Sequence, residues 1–508
     1  MTATITPCRS TQRTGRDGFP QLLHAEWTKF RTIRGWVGGI VAAALMMVLV
    51  ALLAGISSDQ HGSPAVPIGP GGEPVTDSFY FVHQPLTGDG SITVSVSALS
   101  SSIPKGPGDL RPGIVPWSKA GLIVKDGTRQ GSPYAAIMVT GSHGVRMQHN
   151  YVNDTAGLPG PVSSASPRWL RLDRFGETVT GYASTDGTHW TEVGTAHLSG
   201  LGPTAQVGLF VASPPAVGGG GTAGSVSTAT FGDLRTHGGW AGGNWTGAQV
   251  GAESPGFAGY PENTSGSFTG SAARFTVTGA GDMAPAVRDS LPTAAHLRDI
   301  LTGTFAALTA VIVVGALFIT TEYREMIHVT LAASPRRSRV LVAKAIVLWA
   351  FTFVAGLAGA LVATPLGERL ARANGVYIFP VSSSTELRVA LGTAALLATA
   401  AVLALSVGAV FRRGAGAVTT VIVAIVLPYI LTVIPFMPAS VSKGLTTVTP
   451  GAAFAVQQTL VPYDQVASNY TPYYGYYPLA PWAGFAVLAG YAVASLAVAA
   501  VVLNRRDA

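Results

Sequence analysis

Long apolar runs bracket one extended polar stretch in this chain, and the two regions carry different periodicities. A helix that crosses a hydrocarbon layer needs roughly 20 apolar residues. Segments 37–56, 299–320, 345–364, 389–411, 416–436 and 482–503 meet that requirement, and apart from Asp299 at the start of the second none contains a charged residue. The first run begins after 36 residues and lacks a small-x-small cleavage signature, so it is expected to be a retained anchor rather than a signal peptide.

Residues 57–298 read differently. A Gly/Pro-rich leader gives way to short β-rich runs at 91–99, 120–124, 134–140, 168–175, 178–184 and 206–212, separated by turns such as Asp126-Gly127 and Asp186-Gly187. Alternation of this kind, punctuated by turn residues, predicts an antiparallel β-sandwich. Its core is expected at about 75–235, with a smaller Gly-rich section over 237–290 whose clearest strand is 273–279. The fold class expected is therefore an all-α membrane bundle of six transmembrane helices carrying an inserted extracytoplasmic β-sandwich.

Charge orients the spans. The chain is 48% hydrophobic and only 11% charged, with 32 Lys+Arg against 25 Asp+Glu, and its mean hydropathy is +0.38. The basic excess sits in short segments beside apolar runs, which argues for membrane orientation and against a nucleic-acid partner. Arg9, Arg13, Arg16, Lys29, Arg31 and Arg34 precede the first span, Arg412 and Arg413 follow the fourth, and Arg505 and Arg506 follow the last. With six spans these groups share one side, so both termini are expected in the cytoplasm and the β-region outside, in a multi-pass protein of the cytoplasmic membrane.

Two cytoplasmic elements stand out. In "PQLLHAEWTKFRTIRGW" (20–36), helical spacing gathers Leu22, Leu23, Trp27, Phe30 and Ile33 on one side, the pattern of an interfacial helix on the membrane lipids. Glu26 falls among the apolar positions and so calls for a basic or backbone partner, while Lys29 lies off them. The segment 321–344 carries Arg324, Arg336, Arg337, Arg339 and Lys344 against Glu322 and Glu325. Tyr323 and Ile327 share a helical face there, and Pro335 stops the helix before the arginine cluster. A second distinctive loop, 437–481, holds Tyr463, Tyr470, Tyr473, Tyr474, Tyr476 and Tyr477, which fits a membrane-interface belt or a substrate-contacting lip.

Catalytic chemistry is sparse. None of the six lysines follows a glycine, so no G-x-x-x-x-G-K-[ST] phosphate loop exists, and no G-x-S-x-G elbow occurs. The histidines lack metal-ligand spacing, with His143 and His149 flanking one predicted hairpin. Glu177, Asp186 and Glu192 are scattered through another hairpin rather than paired across a cleft. The one cysteine, Cys8, has no partner for a disulfide within the chain. These readings predict no catalytic, cofactor or metal residues.

At this point the chain resembles the ABC-2 type permeases, the membrane subunits of ATP-binding-cassette exporters. The resemblance is carried by "LLHAEWTKFRTIRGW" and by "TTEYREMIHVTLAASPRRSRVLVAKA", and covers 20–56 and 299–508. It implies a permease that works with separate ABC ATPase subunits, which bind ATP and Mg²⁺, and with a second permease copy or a paralogue. It also implies that the 321–344 loop, with Glu322, Tyr323 and Arg324, couples to the ATPase, and that the helix carrying Glu26, Trp27 and Lys29 lies beside it. The large outside insertion departs from the family's minimal pattern. Its "KAGLIVKDG" and "WLRLDRFGETVTGYASTDGTHWTEVG" resemble concanavalin-like and laminin-G-like sandwiches, a fold that does not define a ligand. A different class also accommodates the pattern: a membrane-anchored extracytoplasmic sensor binding a glycan or protein, without transport.

Overall fold

β-Branched and aromatic residues at every second position build the polar stretch into two facing sheets. The computed structural model describes residues 18–62, 65–106, 109–218, 221–240, 244–251, 266–271, 274–325, 337–432, 434 and 437–505. One sheet runs β11 (Thr191–His197), β10 (Thr178–Ser184), β9 (Arg168–Phe175), β3 (Gly90–Gly106), β15 (Val226–Gly238), β18 (Arg274–Gly279) and β17 (Ser267–Ser271), with β4 (Asp109–Gly113) paired to β3. The other runs β16 (Thr246–Val250), β2 (Phe79–Thr87), β12 (Thr204–Ala212), β5 (Lys119–Lys125), β6 (Tyr134–Thr140), β7 (Val145–His149) and β8 (Asn153–Ala156). All pairs are antiparallel. The smaller Gly-rich section supplies β16, β17 and β18 to the two sheets.

The sandwich core follows from the alternation. In β9, Leu170 and Leu172 point inward and share one core with Val94 of neighbouring β3 and with Leu122, Ile137 and Leu209 of the facing sheet. Strands β5 and β6 are buried at every position, because a second apolar layer covers their outer face. That layer is formed by Phe79, Phe81, Ile123, Tyr134, Met138 and Phe210 together with β1 (Val75–Asp77) and β19 (Met283–Pro285), which pair with each other where the chain enters and leaves the domain. Within it Lys119 and Lys125 are both 0% exposed. Lys119 Nζ lies 2.5 Å from Asp282 Oδ1, and Lys125 Nζ lies 2.8 Å from Asp77 Oδ2, which also accepts from the Tyr151 hydroxyl at 2.7 Å. Buried lysines need such partners, and these pairs clamp both ends of the domain to β5.

The apolar runs are helical, and among the described residues six helical segments are long and apolar enough to cross a membrane. An amphipathic α1 (Phe19–Thr32) is followed, after a break at Ile33, by α2 (Arg34–Ser57). Beyond the β-region a short turn at Leu297–Ile300 leads into α3 (Thr304–Glu325). The remaining long helices are α4 (Arg337–Ala373), α5 (Ser383–Phe411), α6 (Gly414–Thr432) and, after the short α7 (Ala439–Val448), α8 (Pro481–Arg505). Small residues let the helices approach closely. A methyl group on Gly315 of α3 would stand 2.4 Å from the Ala401 carbonyl oxygen of α5.

Two features differ from the sequence expectation. Helix α4 begins well before residue 345, so Lys344 lies inside a helix rather than in a loop. Of the tyrosines of 463–477, Tyr476 and Tyr477 are buried, Tyr463, Tyr470 and Tyr474 are partly buried, and Tyr473 is exposed: Tyr470 and Tyr476 stand edge to face at 4.8 Å, and Tyr463 and Tyr470 lie against Val287 and Val466. Asp289 Oδ2 accepts from Ser468 Oγ at 3.0 Å and from the Asn469 amide at 2.9 Å, and Gln465 donates to the Val152 carbonyl at 3.1 Å, so this loop seals the β-domain to the bundle.

Candidate functional site

The amphipathic α1 lays its apolar side across α3 and α4. Phe30 is fully buried, edge-on to Phe318 of α3 at 5.1 Å and stacked on Phe351 of α4 at 4.7 Å, and Trp27 meets Phe351 at 4.3 Å. One turn from Phe30, Glu26 is 4% exposed. An unpaired carboxylate there would be costly. Its partner is Lys344 Nζ, 2.7 Å from Glu26 Oε2 and 2.7 Å from Glu322 Oε1. Lys29 of α1 reaches the same Glu322 oxygen.

Lys29, Glu322, Lys344 and Glu26 thus form a linear, charge-balanced cluster with two carboxylates and two ammonium groups. Lys344 is 0% exposed and also lies 4.6 Å from the centre of the Phe318 ring, so apolar surroundings strengthen the pairing. The cluster joins α1 to the end of α3 and to the start of α4, the two helices on either side of 326–336.

The neighbouring basic residues attach the other helix ends. Arg337 donates to the Leu503 carbonyl at 3.2 Å, tying α4 to α8. Tyr323 reaches the Ala409 carbonyl at 3.4 Å, and the Arg412 guanidinium lies 5.1 Å from the Tyr323 ring. Arg412 closes α5 in the left-handed region at φ 53°. Arg339 is exposed on the first turn of α4. Of the predicted site residues, the structure brings together Glu26, Lys29 and Glu322, with Trp27, Tyr323 and Arg337 close around them. Arg336 and the Arg324 side chain lie outside the described residues.

Sequence reasoning missed Lys344 as the centre of the cluster. The signal was present: Lys344 falls three residues after Leu341 and four before Leu348, both buried, and so on the apolar face of an extended α4. Among the described residues no group of three or more His, Cys, Asp or Glu side chains is placed to hold a metal ion. In the β-domain, Asp186 pairs with His189, and His197 stands 3.4 Å from Glu177, both at the surface.

No family model matches the chain, and no curated protein matches it. Among solved structures it is similar in part to a functionally unknown protein from Saccharomyces cerevisiae, at 14% identity over 34% of this chain and 82% of that one, with a TM-score of 0.24. It is also similar to scytalido-glutamic peptidase, at 8% identity over 40% of this chain and 98% of that one, with a TM-score of 0.28. A GH43 protein from Bacillus licheniformis matches at 17% identity over 29% of this chain and 27% of that one, with a TM-score of 0.18.

Proposed function

We propose that the chain is the membrane-spanning permease subunit of an ABC-2 type exporter, passing the work of separate ATPase subunits to helices that move a substrate across the cytoplasmic membrane. The observation that carries this reading is the cluster of Glu26, Lys29, Glu322 and Lys344. It fastens an amphipathic helix to both helices flanking 326–336, so force applied to that segment reaches three elements at once.

Membrane placement is supported by side chains as well as by length. Val41, Leu45, Leu49 and Leu53 form one exposed apolar stripe along α2, and Val493, Val498 and Val501 remain exposed on α8. Such faces need lipid or another helix, a second permease copy in this reading. Lys29, Arg31, Arg337, Arg339, Arg412 and Arg505 gather at the same end of the bundle, as expected for a cytoplasmic face. The chain itself is not an ATPase in this reading, since nucleotide and Mg²⁺ belong to the partner subunits, whose phosphate loop this sequence lacks.

A membrane-anchored binding protein would leave the ion cluster unexplained, and a tethered β-domain has no need of the seal made by Asp289 and the 463–477 loop. The test is Lys29→Ala, alone and with Glu322→Gln. Stimulated ATP hydrolysis should fall at least tenfold while the protein still inserts in the membrane; undiminished stimulation in both variants rejects the coupling role.

A further inference from the structure

Two cavities adjoin beneath the β-domain, and they share Arg288 and Asp299 in their walls. The larger, of about 270 Å³, lies between the ends of α2 and α4 and is lined chiefly by Ala51, Ala54, Gly55, Ile300, Gly367 and Ala371. The smaller, of about 160 Å³, is polar and aromatic, lined by His296, Arg298, Phe305, Tyr429, Gln457 and Tyr474. A mainly apolar chamber, with Ser58, Gln60 and Thr293 as its other polar lining, thus meets a polar one across the charged pair of Arg288 Nε and Asp299 Oδ2, 4.0 Å apart.

The polar chamber has unspent binding capacity. His296 is 3% exposed; its Nδ1 sits 2.6 Å from Asp299 Oδ2, while its buried Nε2 has no hydrogen-bond partner. A buried polar atom without a partner calls for an explanation. Arg298 is already satisfied, donating to the Pro472 carbonyl at 2.8 Å and to the Tyr429 hydroxyl at 2.6 Å. Asp299 is held by His296 and faces Arg288, so the remaining charge of the chamber is positive.

We infer that the joined cavities bind an amphipathic molecule, with an alkyl chain between α2 and α4 and an anionic head group at Arg288 and His296. An anionic head group at His296 supplies the hydrogen-bond partner that the buried Nε2 lacks, while Nδ1 remains on Asp299. The apolar chamber opens between helices whose outer faces are themselves apolar, which suits a chain arriving from the bilayer. The inference rests on the export reading only for treating the occupant as cargo; binding itself needs no ATPase.

The experiment uses the full chain in nanodiscs of neutral lipid, with empty nanodiscs as the partition control, and measures equilibrium binding of radiolabelled dodecyl phosphate. The expected result is one saturable site per chain, weakened at least tenfold by Arg288→Ala, which removes the head-group charge, and by Ala54→Trp, which fills the apolar chamber from an exposed helix position. Inorganic phosphate should bind at least a hundredfold more weakly, and unlabelled dodecyl maltoside should not compete. Binding unchanged in both variants, or inorganic phosphate matching dodecyl phosphate, overturns the inference. Mass spectrometry of lipids retained through purification separates the sources: a stoichiometric anionic lipid lost in Arg288→Ala identifies a bilayer occupant, and its absence, with dodecyl phosphate still bound, a free amphiphile. Recovery or loss of an ATPase subunit is read independently, so failure of this site and failure of the export reading are distinguishable.

Discussion

Lys344 Nζ lies 2.7 Å from Glu26 Oε2, across 318 residues of sequence. With Glu322 on its other side, this ammonium group is the point where α1, α3 and α4 meet. Removing one member of a buried ion group leaves an uncompensated charge, which costs about 3–5 kcal/mol. Lys344→Met should therefore lower the unfolding temperature of the detergent-solubilised protein far more than Lys29→Met, whose side chain is partly exposed. Adding Glu26→Gln and Glu322→Gln to Lys344→Met should recover most of the loss; equal losses for the two lysine variants would remove Lys344 from the centre of the cluster.

The β-domain has its own buried pairs at its ends. Asp77→Asn withdraws the carboxylate from Lys125 and Tyr151, both buried, and the expected cost is again about 3–5 kcal/mol. Because Asp77 belongs to β1, limited proteolysis should cut first near β1 and β19, while the helical bundle remains intact. Cleavage confined to loops such as 157–167 in both wild type and variant would contradict the clamp.

Much of this fold is legible in the sequence. The runs 134–140, 168–175 and 178–184 coincide with strands: the last two alternate between turn residues, while 134–140 is a short apolar run buried on both faces. Strand β2 escaped notice because Pro85 interrupts "FYFVHQPLT", and β15 because its register shifts between Gly232 and Arg235, which hides the alternation. Lys119 and Lys125 flank the predicted run 120–124, and their burial follows from the outer layer supplied by β1 and β19, which lie far apart on the chain. The candidate site was half visible: Glu26 and Lys344 each fall on an apolar helix face and so call for a partner, but spacing does not pair two residues 318 apart on the chain.

Alkaline pH should release the tyrosine seal. Burial pushes the Tyr470 hydroxyl up to about 12, opposed in part by the Tyr463 amide that donates to it, and burial holds Tyr477 at about 12 against the pull of Arg298. An acid whose folded value is raised favours the folded state's neutral form, so its contribution is complete below the unfolded value of about 10. It is lost as pH climbs from about 10 to about 12. Ultraviolet absorbance of ionised tyrosine should rise in that window together with loosening of the 463–477 loop, measured by proteolysis. Ionisation complete by pH 10 with the loop still protected would contradict the seal.

Close helix contact makes a further prediction. Gly315→Ala directs a methyl group at the Ala401 carbonyl, 2.4 Å away if nothing moves, and overpacking of this kind costs about 1–3 kcal/mol. A melting temperature at or above that of wild type would mean that α3 and α5 are not packed in this register.

The central claim is that this chain receives work from an ATPase through the segment between α3 and α4. The most direct test is affinity purification of the tagged protein in mild detergent, with identification of co-purifying chains and an ATPase assay. The account predicts a nucleotide-binding subunit with stimulated ATP hydrolysis, lost when 326–336 is replaced by a Gly/Ser segment although the protein still inserts in the membrane. A well-folded, membrane-inserted protein that purifies without any ATPase would contradict it.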